Sequence, residues 1–430
     1  MASALCRRAL LRACGGKPPR FLSPSRRFSG EAPRRFAALW GNGDYGRLGL
    51  GGLESRWKPT VCPFFDDDPP VSIACGGAHT LFLTECGRVY ASGLNNFGQL
   101  GRSSATPFAL EPAEVSGLPE NIRQISAGYH HSAAVTADGE LFIWGNNSSG
   151  QLGLGKSTKS IVYLPTRVDL LVGINIKMVA LGSEHSIAIT DVGDALSWGA
   201  GDSGRLGHGH KSSLFGFSVS SSEYTPRLIK SLEGVKIKTV AAGMLHSACI
   251  DEKGSVFIFG ERSTNKLEIG EGKNIRTPTV VQEIPDSEEV ACGGYHTCIV
   301  TSGGELYTWG SNENGCLGLG CTEMIRNPEI VQSSFLKSPI SKVACGWKHT
   351  AVISGGNIFT WGWGGANGTF FEDGHSSGGQ LGHGDDNDCN VPKMVNFDQR
   401  VKALHVSCGF NHTGGIFEYD QIKAGLSGCL

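Results

Sequence analysis

Residues 292–300, CGGYHTCIV, set two cysteines and a histidine within nine positions. Thiolate sulfur and imidazole nitrogen are zinc ligands, so the chemistry such a string would carry is metal ligation. Two observations argue against it at the level of the chain. The fourteen cysteines include no Cys-x-x-Cys pair, which leaves zinc ribbons and dithiol redox pairs without support. The string is also one of seven. Gly-x-x-His-Ser/Thr recurs around His79, His131, His185, His246, His296, His349 and His412, at intervals of 50 to 63 residues. Nothing reactive stands in fixed relation to these histidines, so they are read as structural. A neutral imidazole donates with one nitrogen and accepts with the other, which suits it to tying strands or blades together.

Two further strings invite a chemical reading. GNGDYG (41–46) and GAGDSG (199–204) match the dinucleotide fingerprint Gly-x-Gly-x-x-Gly, but neither opens a helix. Their third position reads Gly43, Asn95, Asn147, Gly201 and Asn312 across the repeats. Gly and Asn interchange where the backbone needs positive φ, so both strings are expected to be turns. The aspartates at 66–68 and 385–388 read as solvated surface rather than calcium ligands. No catalytic, cofactor-binding or metal-binding residue is assigned, and the chain is read as a non-enzyme.

Seven copies of one string need seven copies of whatever holds it. A second string, Trp-Gly or a variant followed by Asn-x-x-Gly-x-Leu-Gly, comes after each of the first six, and one unpaired copy, WGNGDYGRLG (40–49), precedes them all. Prolines follow at 59, 112, 165, 226, 278, 328 and 392. Between the strings lie short alternating runs such as HTLFLTECGRVYASG, broken by Asp-Gly or Cys-Gly turns. Apolar residues at every second position between such turns are antiparallel hairpins. Four short strands per period, seven times, predict an all-β, seven-bladed β-propeller. From each His to the next Trp-Gly glycine is 14 residues in five repeats and 13 in the sixth. After His412 no such string follows, and the spare copy sits at Trp40-Gly41. The N-terminal strand is therefore expected to complete the C-terminal blade, which protects two sheet edges at once.

The first 28 residues are unlike the rest. They carry six arginines and Lys17 and no acid, and Arg26-Arg27-Phe28 precedes Ser29. Such an arginine-rich, acid-poor segment is how a mitochondrial or chloroplast presequence is built. Its removal takes the formal charge from −2 to −9, and an acidic chain lacks the broad basic footprint of a direct nucleic-acid binder. No run of 18 apolar residues is present, so no membrane insertion is expected. The organisation expected is a presequence at 1–28, a linker at 29–36, the propeller at 37–417 and a tail at 418–430.

The two recurring strings resemble the regulator-of-chromosome-condensation repeat family, and the match covers residues 37–417. Together with the presequence, the ring is similar to the plant mitochondrial branch related to the ultraviolet receptor and to guanine-nucleotide exchange factor-like proteins. That resemblance implies a scaffold in the mitochondrial matrix that supports organellar transcript processing, including intron splicing, and through it respiratory complex I biogenesis. Protein partners in the matrix are implied, a splicing ribonucleoprotein among them, with RNA contact indirect and no cofactor. The alternative it implies is guanine-nucleotide exchange on a small GTPase; the alternative location is the chloroplast. Ultraviolet sensing in the family uses a repeated Gly-Trp-Arg-His-Thr. Here the tryptophan register reads Gly77, Tyr129, Ser183, Met244, Gly294, Trp347 and Phe410, which does not build that cluster.

Binding residues are expected where the repeat rule breaks, because loops on a rigid ring carry function. From the Leu-Gly glycine to the following proline is 10 to 12 residues in intact repeats but 19 from Gly207 to Pro226. From the Trp-Gly to the Leu-Gly glycine is 8 in intact strings but 20 from Gly362 to Gly382. These insertions hold Phe215, Phe217, Phe370 and Phe371 among Gly and Ser, the candidate partner-binding anchors.

Overall fold

A computed structural model describes residues 35–420 apart from 66, 103–106, 210–221, 262–274, 335 and 366–377. The basic segment 1–28, the tail from 421 onward and all four candidate phenylalanines (Phe215, Phe217, Phe370, Phe371) lie outside the described residues.

Among the described residues, seven four-stranded antiparallel sheets follow one another. Blades 1 to 6 span 70–114, 122–167, 176–228, 237–280, 287–330 and 340–394, each running from an innermost to an outermost strand. The seventh blade takes its inner pair, Val401–Cys408 and His412–Tyr419, from the C-terminal end and its outer pair, Arg35–Gly41 and Arg56–Val61, from the N-terminal end. The clasp thus contributes two strands from each end where the spacing had implied one from the N-terminus. The seam strand begins at Arg35, inside the stretch read as linker, and the last strand reaches Tyr419, inside the stretch read as tail.

The constant interval from His to glycine reflects a strand register. Each Gly-x-x-His histidine is the cross-strand partner of the Trp-Gly glycine of its blade: His79 with Gly93, His296 with Gly310, His349 with Gly362. At the seam His412 pairs with Gly41 in the same way, across 371 positions of sequence. A side chain there is excluded, since a Cβ on Gly93 would come within 2.4 Å of the Ala78 carbonyl. The recurring prolines all fall in outermost strands, whose pairing shifts register at a bulge. Such an edge lacks the unbroken row of donors that another chain could pair with.

The core is divided among the blade interfaces. Trp144 packs with Leu81, Leu100 and Val115 of the preceding blade, and Trp361 with Cys298 and Leu306. The seam is closed by the same physics, with Trp40 and Phe417 buried against Ile353 and Ile358 of blade 6. Four tryptophans, Trp40, Trp144, Trp198 and Trp361, are wholly buried in this role.

The Gly/Asn turn position departs from the positive φ expected of it. Gly43 and Gly201 have φ of −94° and −97°, so the Gly/Asn position is not left-handed. Asn stands there for its amide: Asn95, Asn147 and Asn312 accept the backbone N–H five residues on, at 3.2, 3.1 and 3.0 Å. Gly43 stands there because the chain passes too close, and a Cβ would lie 2.1 Å from the Glu54 carbonyl.

Candidate functional site

The Gly-x-x-His turns converge on the propeller axis, around a cavity of about 90 Å³. The histidines form a closed cycle behind it. Nε2 of His79, His131, His185, His246, His296 and His349 lies 2.9, 3.3, 2.8, 3.0, 2.9 and 3.0 Å from the hydroxyl of the next blade's Ser132, Ser186, Ser247, Thr297, Thr350 and Thr413. His412 closes the cycle on Thr80 at 2.9 Å.

The hydroxyls settle which nitrogen holds the proton. Thr80, Ser132, Ser186, Ser247, Thr350 and Thr413 donate to the carbonyls of Arg47, Gln99, Gln151, Arg205, Cys316 and Gln380 at 2.7 to 2.9 Å. A hydroxyl has one proton. In those six pairs the imidazole must donate through Nε2, leaving the lone pair on Nδ1. The same carbonyls of Gln99, Gln151 and Cys316 accept the indole N–H of Trp144, Trp198 and Trp361. One string carbonyl thus ties its blade to two side chains of the next.

Burial pushes His79, His131, His296 and His349 down to about 3 and His246 to about 4, and holds His185 and His412 well below the ordinary imidazole range. The imidazoles are therefore neutral at physiological pH. They are neither exposed nor poised as acids or bases. The glycine of each string has a steric reason. A Cβ on Gly76 would sit 2.3 Å from its own His79 ring and 2.6 Å from the Gly128 carbonyl of the next blade.

What the turns present outward is an arc of aromatic side chains. Phe97 packs on His130 at 4.4 Å, His130 on Tyr129 at 4.3 Å, Tyr129 on Phe410 at 5.4 Å and Phe410 stacks on Trp347 at 4.2 Å. Trp363 meets Trp347 edge-on at 5.5 Å, and the Lys348 ammonium lies 5.0 Å above the Trp347 ring. The arc crosses four blades, and Tyr129 reaches Phe410 because blade 1, between them, has Gly77 at this register; a Cβ there would meet the Tyr129 ring at 2.8 Å. Phe97, Tyr129, Trp347 and Phe410 are half-buried, leaving ring surface open.

Two buried cations underlie this face. Arg47 and Arg205 occupy the position of Gln99 and Gln151 in their strings, and their side chains bond to turn carbonyls: Arg47 to Gly77 at 3.3 Å and Arg205 to Met244 at 3.1 Å. Burial lowers the Arg47 guanidinium to about 10, so it remains charged. Sequence reasoning reached Trp347 and Phe410 as members of a register but not Trp363, Phe97 or His130 as their neighbours. The Gly-Arg-Leu-Gly variants at 46–49 and 204–207 were the visible signal for the arginines. The candidate phenylalanines belong to the connections between the third and outermost strands of blades 3 and 6, and the described ends of such connections sit on this face, as where Ala200 N–H bonds the Glu184 carbonyl at 2.8 Å.

Residues 37–414 match the family described as the RCC1-like domain. The Ultraviolet-B receptor UVR8 of Arabidopsis thaliana is 34% identical over 388 residues, covering 90% of this chain and 71% of the receptor. The RCC1 domain-containing protein RUG3, mitochondrial, of the same plant is 33% identical over 258 residues, covering 59% of this chain and 56% of that protein. In fold, the chain superposes on Prp20p of Saccharomyces cerevisiae, whose structure is described with its binding properties to Gsp1p and histones. The TM-score is 0.76 at 22% identity, over 91% of this chain and 93% of that one.

Proposed function

The chain belongs to the RCC1-like domain family of seven-bladed propellers, and from that premise we propose that it is a non-enzymatic scaffold of the mitochondrial matrix. In this reading it presents the aromatic face to protein partners in organellar transcript processing, intron splicing included, and through them serves complex I biogenesis. The observation that carries the scaffold reading is the division of labour in the turns. The repeated histidines are buried and consumed in the ring, while the variable residue beside them faces outward. Half-exposed aromatics on a rigid frame are the residue type that anchors protein interfaces. The location rests on the composition of residues 1–28 and on likeness to a protein named as mitochondrial. The insertions bearing Phe215, Phe217, Phe370 and Phe371 are proposed to extend the same surface.

Affinity purification from isolated mitochondria, with protein and RNA identified, tests this. The comparison is a variant carrying Tyr129→Ser, Trp347→Ser and Phe410→Ser, since Ser183 stands at the same register without harm to the ring. Ribonucleoprotein partners recovered with the parent and lost with the folded variant are the expected result. Accelerated nucleotide release from a matrix GTPase, with no ribonucleoprotein recovered, would replace the scaffold by an exchange factor.

A further inference from the structure

The string that first suggested a metal site gains a third ligand from the neighbouring blade. His296 and Cys298 lie two residues apart on the second strand of blade 5, and both face blade 6. Cys345, from the innermost strand of blade 6, meets them. The imidazole nitrogen and the two sulfurs all lie within 4.8 Å of one another. We propose that His296, Cys298 and Cys345 form a binding site for a soft divalent cation, zinc or its analogues, at the interface of blades 5 and 6.

Three features beyond proximity support it. The first is the tautomer. Thr350 donates to the Cys316 carbonyl at 2.8 Å and so accepts from His296 Nε2 at 2.9 Å, which leaves the Nδ1 lone pair that a metal requires. The ring contact that occupies Nε2 of the histidine also orients it, as outer-shell partners orient metal-bound imidazoles. The second is charge. Two thiolates and a dication make a neutral unit, whereas a monovalent ion would leave a buried negative charge, which is costly in a low-dielectric interior. The third is access. Cys345 lines the axial cavity, so the ion has a path from the mouth to ligands that are otherwise enclosed.

The ring itself supplies six internal controls. The residue two after the histidine reads Leu81, Ala133, Ile187, Ala248, Cys298, Ala351 and Gly414. The residue before the glycine of the next blade's string is cysteine at four of seven positions. Only the interface of blades 5 and 6 has cysteine at both. Tetrahedral zinc with bonds of about 2.0–2.3 Å sets its ligand atoms roughly 3.4–3.8 Å apart, so binding needs to draw the triad together by no more than roughly 1.4 Å. Both sulfurs must lose their protons to ligate the ion, so binding releases protons and affinity should rise with pH.

The test is a titration of the purified, reduced chain with Co²⁺, followed by visible absorption and displaced by Zn²⁺. One equivalent giving the intense bands of tetrahedral thiolate coordination is expected. Cys298→Ala and Cys345→Ala should each weaken binding by more than the roughly 10–100-fold that loss of an outer-shell partner costs. Alanine occupies both registers elsewhere in the ring, and thermal melting of each apo variant verifies that it folds. Cys75→Ala, at the register of Cys345 but in blade 1, should leave the titration unchanged. Absence of a stoichiometric band, or a band that survives in either triad variant, would overturn the proposal. So would stoichiometric Cu(I) with no uptake of Co²⁺ or Zn²⁺.

Discussion

Acid should open this propeller well above the pH at which its carboxylates titrate. The perturbation is protonation of the seven ring histidines, which the folded state resists. In the native state four have pKa values near 3 and one near 4, and two are held well below the ordinary range, chiefly by burial. Arg47 adds repulsion at His79 and His412, and Arg205 at His185. Nδ1 of His79, His131, His185, His349 and His412 has no hydrogen-bond partner among the described residues that could receive a new proton. In the unfolded chain the same groups titrate near 6.5. Between that value and the folded one, the unfolded state binds more protons. Stability is therefore fully present above about pH 7 and lost as pH falls. At pH 5 each ring histidine removes about 2 kcal/mol, at 1.36 kcal/mol per pH unit. Seven together remove on the order of 14 kcal/mol, which matches the roughly 5–15 kcal/mol that holds a typical domain together. His130, His383 and His405, also lowered to about 4, act in the same direction. Urea midpoints from tryptophan fluorescence between pH 5 and 8 should fall steeply below pH 6.5, and His185→Gln should remove about one proton from the slope. Midpoints that stay level from pH 7 to pH 5 would refute the buried, neutral cycle.

Four other outcomes follow from the geometry. Thr80→Val strips the acceptor from His412 Nε2 and the donor from the Arg47 carbonyl, and at about 1–3 kcal/mol per buried unsatisfied group it should lower the urea midpoint measurably. A chain beginning at Asn42 loses the strand Arg35–Gly41 and with it the pairing to His412–Tyr419; it should unfold without cooperativity and aggregate, as seen by scattering during a melt. Changing Phe215, Phe217, Phe370 and Phe371 to serine should leave the melting temperature within a few degrees of the parent while reducing partner recovery from mitochondria. N-terminal sequencing of the protein recovered from mitochondria should begin at or near Ser29, and intact Met1 would remove the presequence reading.

The sequence by itself determined the blade count, the strand order and that the two chain ends share one blade, though not that each end supplies two of its strands. Those features are local: period-two alternation, turn residues and a constant interval from His to its glycine describe pairings within one sheet, and the spare copy at Trp40-Gly41 could only be used at the far end. It also marked the histidines as structural, because seven equivalent groups cannot each be a unique reactive centre. What happens between sheets was decided by tertiary structure alone. That His79 bonds Ser132, that Tyr129 bridges over Gly77 to Phe410, and that Cys345 meets Cys298 all depend on how far each blade is rotated about the axis relative to the next. Residues 47 or more apart carry no spacing signal for that rotation. The Gly43/Asn95 position shows the same divide. The turn was legible, but its cause was not, since a carbonyl of a returning segment and an amide reaching five residues ahead exclude or favour side chains only once the chain has folded back on itself.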